Sequence, residues 1–276
     1  MTQSGSGSWL RTSRICLVAL GAVAAWAVVG IGVDAQTPPV AQAGAQSASA
    51  GQPRLRALVV SGGCCHDYSA QNRLLVDSVR GALTVDWTVV IEGGTGTTGR
   101  QRVYESADWS AGYDLVIHNE CFADNRDEAL IRKIVDAHRK VPSVVVHCAM
   151  HTYRSAPAAD LWREFLGVTS VRHTARHQIT TRMAPDAGSI MAGFQPNWVT
   201  PVDELYVIDK LWPGAKALMT AVSPEDQREY PLVWTNNYHG VRVFGTGLGH
   251  GNATWEDPAF QDLLVRGIRW AAGRSN

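Results

Sequence analysis

Along residues 56–166 the apolar positions change spacing in a regular alternation. RALVVSGG (56–63), WTVVIE (87–92), YDLVIHNE (113–120) and SVVVH (143–147) are short and almost continuously apolar, the pattern of strands buried on both faces. Between them the period lengthens to that of a helix. Leu74, Leu75, Val79 and Leu83 fall in and just after residues 72–82, Ile131, Ile134 and Val135 lie within 127–139, and a further helical piece surrounds 161–166. Such alternation predicts an α/β fold, a mostly parallel sheet with helices on both faces. Ligands of these sheets bind outside the carboxyl ends of the strands, where the strand order reverses.

Beyond residue 170 the period shortens to two. RHQITTRM (176–183) and AKALMTAV (215–222) alternate like strands, and PLVWTNN and VRVFGTGLG flank Tyr238, His239 and Gly240 as a β-hairpin. Phe260, Leu263, Leu264, Gly267, Ile268 and Ala271 then form one face of a C-terminal helix over 258–273. Asp257 is its candidate N-cap, and Pro258 stands in its first turn. Hairpin and helix should close the fold.

Composition narrows the class. A chain of 276 residues, 45% hydrophobic and 18% charged, suits one α/β domain. Its 25 basic residues balance 25 acidic ones, so no overall field favours nucleic acid or an anionic membrane surface. At the N-terminus, Arg11 and Arg14 precede an apolar run over 15–33 and small residues at 33–35. That arrangement predicts an export signal over 1–35. The run also approaches the roughly 20 residues that span a bilayer, so it serves either as a cleaved signal peptide or as a retained membrane anchor. Residues 36–53, rich in Ala, Gln, Ser, Gly and Pro, read as a flexible linker, which leaves 54–274 as the domain. The domain is therefore expected to be periplasmic or secreted, with membrane contact only through an uncleaved N-terminal segment.

The reactive side chains fall at strand ends. Cys64, Cys65, His66 and Asp67 follow the first strand, Glu120 and Cys121 end the third, and His147, Cys148 and His151 follow the fourth. If the first strand lies between the second and third, all of them line one crevice. An oxidising compartment permits disulfides among Cys64, Cys65, Cys121 and Cys148, but a core this large needs no framework, so at most one bridge is expected.

Three chemistries stay open. Cys148 stands between a strand and a helical piece, where helix N–H groups would lower a thiol pKa, although His147 and Met150 are bulky for a nucleophile elbow. His66, His147 and Glu120 would suit Zn²⁺ or another divalent ion. Acid–base work by histidine and carboxylate in one pocket requires no cofactor, and Glu204 and His250, at proline- and glycine-bounded turns, would join it. Asp203 reads as a turn or cap residue. Gly93–Gly99 lacks the lysine and the helix context of a phosphate cradle. Of ten tryptophans, Trp109, Trp198, Trp212, Trp234 and Trp255 fall near predicted loops, where indole faces can stack on sugar rings; core packing is their ordinary role.

VVSGGCCHDY, VVVHCA, TPVDELYVI and the closing run VWTNNYHGVRVFGTGLGHGNATWEDPAFQDLLVRGIRWAAG resemble the ThuA-like family, named for trehalose utilisation, over about residues 54–274. The resemblance implies a flavodoxin-like sheet related to the class I glutamine amidotransferases. Cys148 lies near the place of their nucleophile but lacks its glycine-flanked pattern, so amidotransferase activity is not implied. By position it carries over His66, His147, Glu204 and His250, together with an association with carbohydrate metabolism that includes 3-keto sugars. The expectation is an exported hydrolase or lyase acting on a small-molecule saccharide, a glycoside or 3-keto sugar. His66, Glu120, His147, Glu204 and His250 would be its catalytic groups, and Asp67, Tyr206, Asn252 and Trp255 its substrate contacts. A non-catalytic carbohydrate-binding or accessory protein and a Cys148 thiol hydrolase are the competing readings.

Overall fold

The protein is described by a computed structural model covering residues 54–274. The predicted signal and linker lie outside the described residues, among which no helix is long and apolar enough to cross a membrane. The elements run β1 (Leu55–Gly63), α1 (Tyr68–Val79), β2 (Val85–Ile91), β3 (Leu115–Cys121), α2 (Glu128–Ala137), β4 (Ser143–Val146), α3 (Ala159–Leu166), β5 (Val168–His173) and β6 (His177–Met183). They continue with β7 (Val199–Asp203), β8 (Tyr206–Leu211), β9 (Ala215–Val222), β10 (Glu229–Tyr238), β11 (Val241–Thr246), α4 (Asn252–Glu256) and α5 (Pro258–Ala271).

One nine-stranded sheet has the order β2-β1-β3-β4-β11-β10-β9-β6-β7. The strands from β2 to β11 are parallel, and those from β10 onward are antiparallel. β1 lies between β2 and β3, as the flavodoxin-like reading expects, so the order reverses there. The two-residue period of β1 divides the core. Leu55, Ala57 and Val59 meet Leu75 and Val79 of α1 and Phe260, Leu264 and Ile268 of α5. Leu58 and Val60 face the opposite layer with Ile131 and Ile134 of α2 and Trp162 and Phe165 of α3.

Local chemistry sets the boundaries. α1 begins four residues before its predicted start because the Asp67 side chain accepts a hydrogen bond from Ala70 N, an N-cap that the apolar period does not reveal. Asp257 caps α5 as predicted, accepting from Ala259 N and Phe260 N. In α5, Gly267 rests on Phe244 of β11, and a Cβ there would stand 2.3 Å from the phenyl ring. The predicted hairpin forms as β10 and β11.

β5 and β8 form a separate two-stranded antiparallel sheet that the apolar spacing did not reveal. TPVDELYVI, read as a turn, contributes β7 and β8. Val199 and Val202 of β7 are about half exposed at the sheet edge, so apolar residues there do not mark an inward face.

Candidate functional site

The carboxyl ends of β1, β3, β4 and β11 meet at the reversal of strand order, and a cavity of about 310 Å³ opens there. Gly63 permits the convergence. It has φ +95°, and a Cβ on it would lie 2.2 Å from the Cys121 carbonyl, so only glycine lets β1 close this tightly on β3. Immediately after the strands, Cys65 and His147 take left-handed backbone angles of 84° and 48°. Non-glycine residues in this region concentrate at functional sites. His147, predicted to end the fourth strand, instead opens a tight 3₁₀ turn through His151, and its buried ring packs behind the cavity wall against the rings of Tyr206 and His250.

Three imidazoles surround one carboxylate oxygen. Glu204 Oε2 lies 3.5 Å from His147 Nε2, 3.3 Å from His250 Nδ1 and 3.6 Å from His173 Nδ1. His66 completes the group, its ring centre 5.0 Å from those of both His147 and His250. Backbone carbonyls select the tautomers. His147 Nδ1–H donates to Gly247 O at 2.8 Å, and His66 Nδ1–H donates to His250 O at 3.1 Å. Each ring therefore offers its Nε2 lone pair, and that of His66 is buried with no hydrogen-bond partner. Burial, with His147 nearby, holds the His66 pKa down to about 3, so the ring is neutral at pH 7. Burial would raise the Glu204 carboxyl, but hydrogen bonding and charge from the imidazolium forms of His147 and His250 outweigh it and hold the group below the usual carboxylate range.

This arrangement fits a divalent cation. His66, His147 and His250 each offer a nitrogen within 4.8 Å of the others. Two of the rings are oriented by carbonyls behind them, as metal-binding histidines are, and an anionic carboxylate stands beside lone pairs that would otherwise repel it.

Asp203 is the residue that the turn-or-cap reading undervalued. Fully buried, it accepts from Gly249 N, His250 N, Glu204 N and Thr254 Oγ1 at 2.6–3.2 Å. One carboxylate thus brackets the loop carrying His250 and the turn carrying Glu204. Gln71 and Trp255 hold the same loop through the carbonyls of Gly249 and His250. His173 was also missed, since it ends the unpredicted β5. His151 finds its place here: it stacks on Tyr206 at 4.3 Å, hydrogen-bonds Ser170 Oγ and lines the cavity. Tyr206 lines it too, with its hydroxyl 3.4 Å from His147 Nε2.

Several expectations need correction. Glu120 is absent from the cavity and cannot join His66 and His147 around a metal. β3 sends alternate side chains to opposite faces, and Glu120 points with His118 into the α2/α3 layer, where it meets Tyr104, Gln101 and His118. Asp67 caps α1 and holds Asn252 Nδ2 at 3.1 Å, so the pair ties two loops together outside the cavity lining. Trp255 is buried beneath Gly249 rather than displayed to a ligand. Trp109, Trp198 and Trp234 are likewise core residues, and Trp212 lies under the Lys210 ammonium. The cysteines form two bridges where at most one was expected: Cys64–Cys65 joins neighbours in the chain, and Cys121–Cys148 joins the converging ends of β3 and β4. Bound to Cys121, Cys148 has no thiolate to act as nucleophile.

The fold and this strand-end pocket define a class, that of α/β proteins with a flavodoxin-like sheet. Within it, the chain belongs to the ThuA family, described as trehalose utilisation, whose model matches residues 56–271. Among solved structures it is similar to a ThuA-like protein of Parabacteroides merdae, with 21% identity, TM-score 0.68 and coverage of 81% of this chain and 92% of that one. A ThuA-like protein of Bacteroides uniformis has 16% identity and TM-score 0.62, with 83% and 95% covered. A β-galactosidase of Bacillus circulans has 12% identity and TM-score 0.51, with 78% of this chain and 31% of that one covered. At these identities the likeness shows the fold. A search of curated proteins finds no sequence match.

Proposed function

We propose that the pocket processes a carbohydrate, as a hydrolase or lyase acting on a glycoside or its 3-keto form. The observation carrying this reading is the convergence of His147, His250 and His173 on one Glu204 oxygen, at the wall of a cavity of about 310 Å³ that Glu204, His173 and His250 line. That volume is at the small end of the ~300–1,000 Å³ range of small-molecule sites and suits one sugar unit. The family's link with trehalose utilisation supplies the substrate class.

A keto group at C3 of a sugar acidifies the hydrogen on C2, and loss of that proton with departure of the C1 substituent is an elimination. His147, oriented by Gly247 O, presents Nε2 to accept the proton, and Glu204 at 3.5 Å stabilises the charge the ring gains. Tyr206, whose burial pushes its pKa up, keeps its proton and can hydrogen-bond the departing oxygen. His250 and His173 hold Glu204 in place from its other sides. If His66, His147 and His250 instead held a divalent cation, His147 Nε2 would be a ligand rather than the base, and the cation would supply Lewis-acid polarisation of the keto oxygen.

Incubation with disaccharides and their 3-keto forms, read by product chromatography and thermal unfolding, tests the proposal. Turnover of at least one is expected, lost in His147→Ala without loss of folding. Sugar-dependent stabilisation without turnover, about 2.7 kcal/mol at one hundred times Kd, would instead identify a carbohydrate-binding protein. No response to any sugar would end both readings. The proposal also has the chain exported, which its two disulfides suit. N-terminal sequencing of the mature protein checks this, with a cleaved signal giving a start near residue 36.

A further inference from the structure

The four cysteines are not absorbed by the acid–base reading, yet all of them line the same cavity. They form an outer and an inner pair. Cys65 is exposed and Cys64 half-buried, whereas Cys121 and Cys148 are buried. The pairs touch: Cys64 Sγ is 3.5 Å from Cys121 Sγ. Two of the three groupings of metal-ligating side chains within 4.8 Å among the described residues involve these sulfurs, Cys64 with Cys65 and Cys121, and His66 with Cys121 and Cys148. His66, whose Nε2 is buried and unpartnered, belongs to both this sulfur set and the histidine set.

We propose that the paired disulfides are a reducible cover over a second, soft metal site, in which Cys121, Cys148 and His66 bind a d¹⁰ cation such as Zn²⁺ or Cd²⁺ once the sulfurs are reduced. A dithiol reductant gives two electrons and two protons to the accessible Cys64–Cys65 bond and leaves as its own disulfide. The Cys64 thiolate then attacks Cys121 Sγ. A Cys64–Cys121 bond forms, the Cys121–Cys148 bond breaks, and Cys148 departs as a thiolate that takes up the proton Cys64 released. A second dithiol reduces Cys64–Cys121 in the same way, leaving four thiols. On binding the cation, Cys121 and Cys148 release their protons to solvent, and thiolate with imidazole is a donor set that suits Zn²⁺. The cavity thus offers only nitrogen and oxygen donors when oxidised and gains sulfur donors when reduced. His66 is shared; when it serves the sulfur set, Glu204 Oε2, 3.5 Å from His147 Nε2 and 3.3 Å from His250 Nδ1, would replace it in the histidine set, so both sets could be filled at once.

The proposal uses the same pocket as the carbohydrate reading but depends on no turnover. The test is anaerobic titration of the protein with Cd²⁺, before and after treatment with dithiothreitol and its removal, read by ultraviolet thiolate-to-metal absorption and by bound metal per chain. The reduced protein is expected to bind one equivalent more than the oxidised protein, with the absorption band appearing only after reduction. Equal binding in the two states, or added metal without the band, would overturn the proposal, and this comparison needs no variant. The Cys121→Ser/Cys148→Ser variant should lose the added equivalent; retention of it by a folded variant would also overturn the assignment. In Cys64→Ser/Cys65→Ser, the inner bridge should be reduced at least ten times more slowly than in the native chain. An unchanged rate would remove the outer pair from the route.

Discussion

Two clusters of histidine and glutamate contrast in the fold, one in the α2/α3 layer beneath β3 and one at the carboxyl ends of the strands, and only the second is open. In the sealed cluster, beneath β3, the hydrogen bonds run in one direction. His138 Nδ1–H donates to Val141 O, so its Nε2 accepts from His118 Nε2 at 2.9 Å, which leaves His118 Nδ1 as an acceptor for Glu120 at 3.0 Å. A charged Glu120 would face that lone pair, so the arrangement favours its protonated form. Burial agrees, raising its pKa to about 8 against the weaker opposing effect of hydrogen bonds from Tyr104 and Gln101, while His118 is pushed down to about 3. Both imidazoles and both Glu120 oxygens have partners within the protein, which makes this an internal strut. In the open cluster the His66 lone pair has no partner and Glu204 keeps its charge beside a cavity. The same residue types become structure or chemistry according to whether their hydrogen-bonding capacity is used up internally.

The largest expected effect falls on the sealed side. Glu120→Ala removes the donor to His118 and the acceptor of Tyr104 and Gln101, all buried, and should cost about 4 kcal/mol in urea unfolding. The protein that remains folded should keep its turnover. A cost below about 1 kcal/mol would show that the strut carries no load. Asp203→Ala crosses the comparison by stripping one acceptor from Gly249, His250, Glu204 and Thr254. It should cost about 3 kcal/mol and, by releasing the loop, lower turnover by about 10²-fold. Stability lost with turnover intact would mean that the Asp203 bracket does not position the site.

The third effect is smaller and depends on pH. Glu120 is protonated up to about pH 8 in the folded protein, but only to about 4.5 when unfolded. The folded state therefore binds the extra proton, and this contribution is fully present below pH 4.5 and lost as pH rises to 8. His66, His118 and His151, held near 3 from 6.5, act in the opposite sense and only below pH 6.5. Between pH 6.5 and 8 the Glu120 contribution should fall by about 2 kcal/mol. Glu120→Gln, which can donate and accept in the same places, should flatten that slope; an unchanged slope would assign it to another group.

The central fold was legible because its strands and helices have distinct periods, and β1, β3 and β4 end within a residue or two of their predicted limits. His66, His147 and the cysteines were legible as a group because chain order alone puts them at carboxyl ends. Glu120 was misplaced by a single position, since a two-residue period turns a neighbour to the opposite layer, and the strand register is needed to tell it from Cys121. Asp203 was not recognisable as a bracket because its four partners include residues about 46–51 positions away, and three of the four donors are backbone N–H groups that carry no sequence signature. β5, β7 and β8 sit at an edge or in a small sheet with mixed exposure, where alternation fades and His173 went with it.

The most direct test sets one member of each cluster against the other: kcat/KM for the best-used 3-keto glycoside in His147→Ala and Glu120→Gln, each verified as folded. If the open cluster performs the chemistry and the sealed one only supports the sheet, His147→Ala should lose at least about 10²-fold, and Glu120→Gln should stay within about threefold of the native protein, the scale of a structural change that leaves the site's geometry intact. A native-like His147→Ala beside an inactive Glu120→Gln would contradict the account.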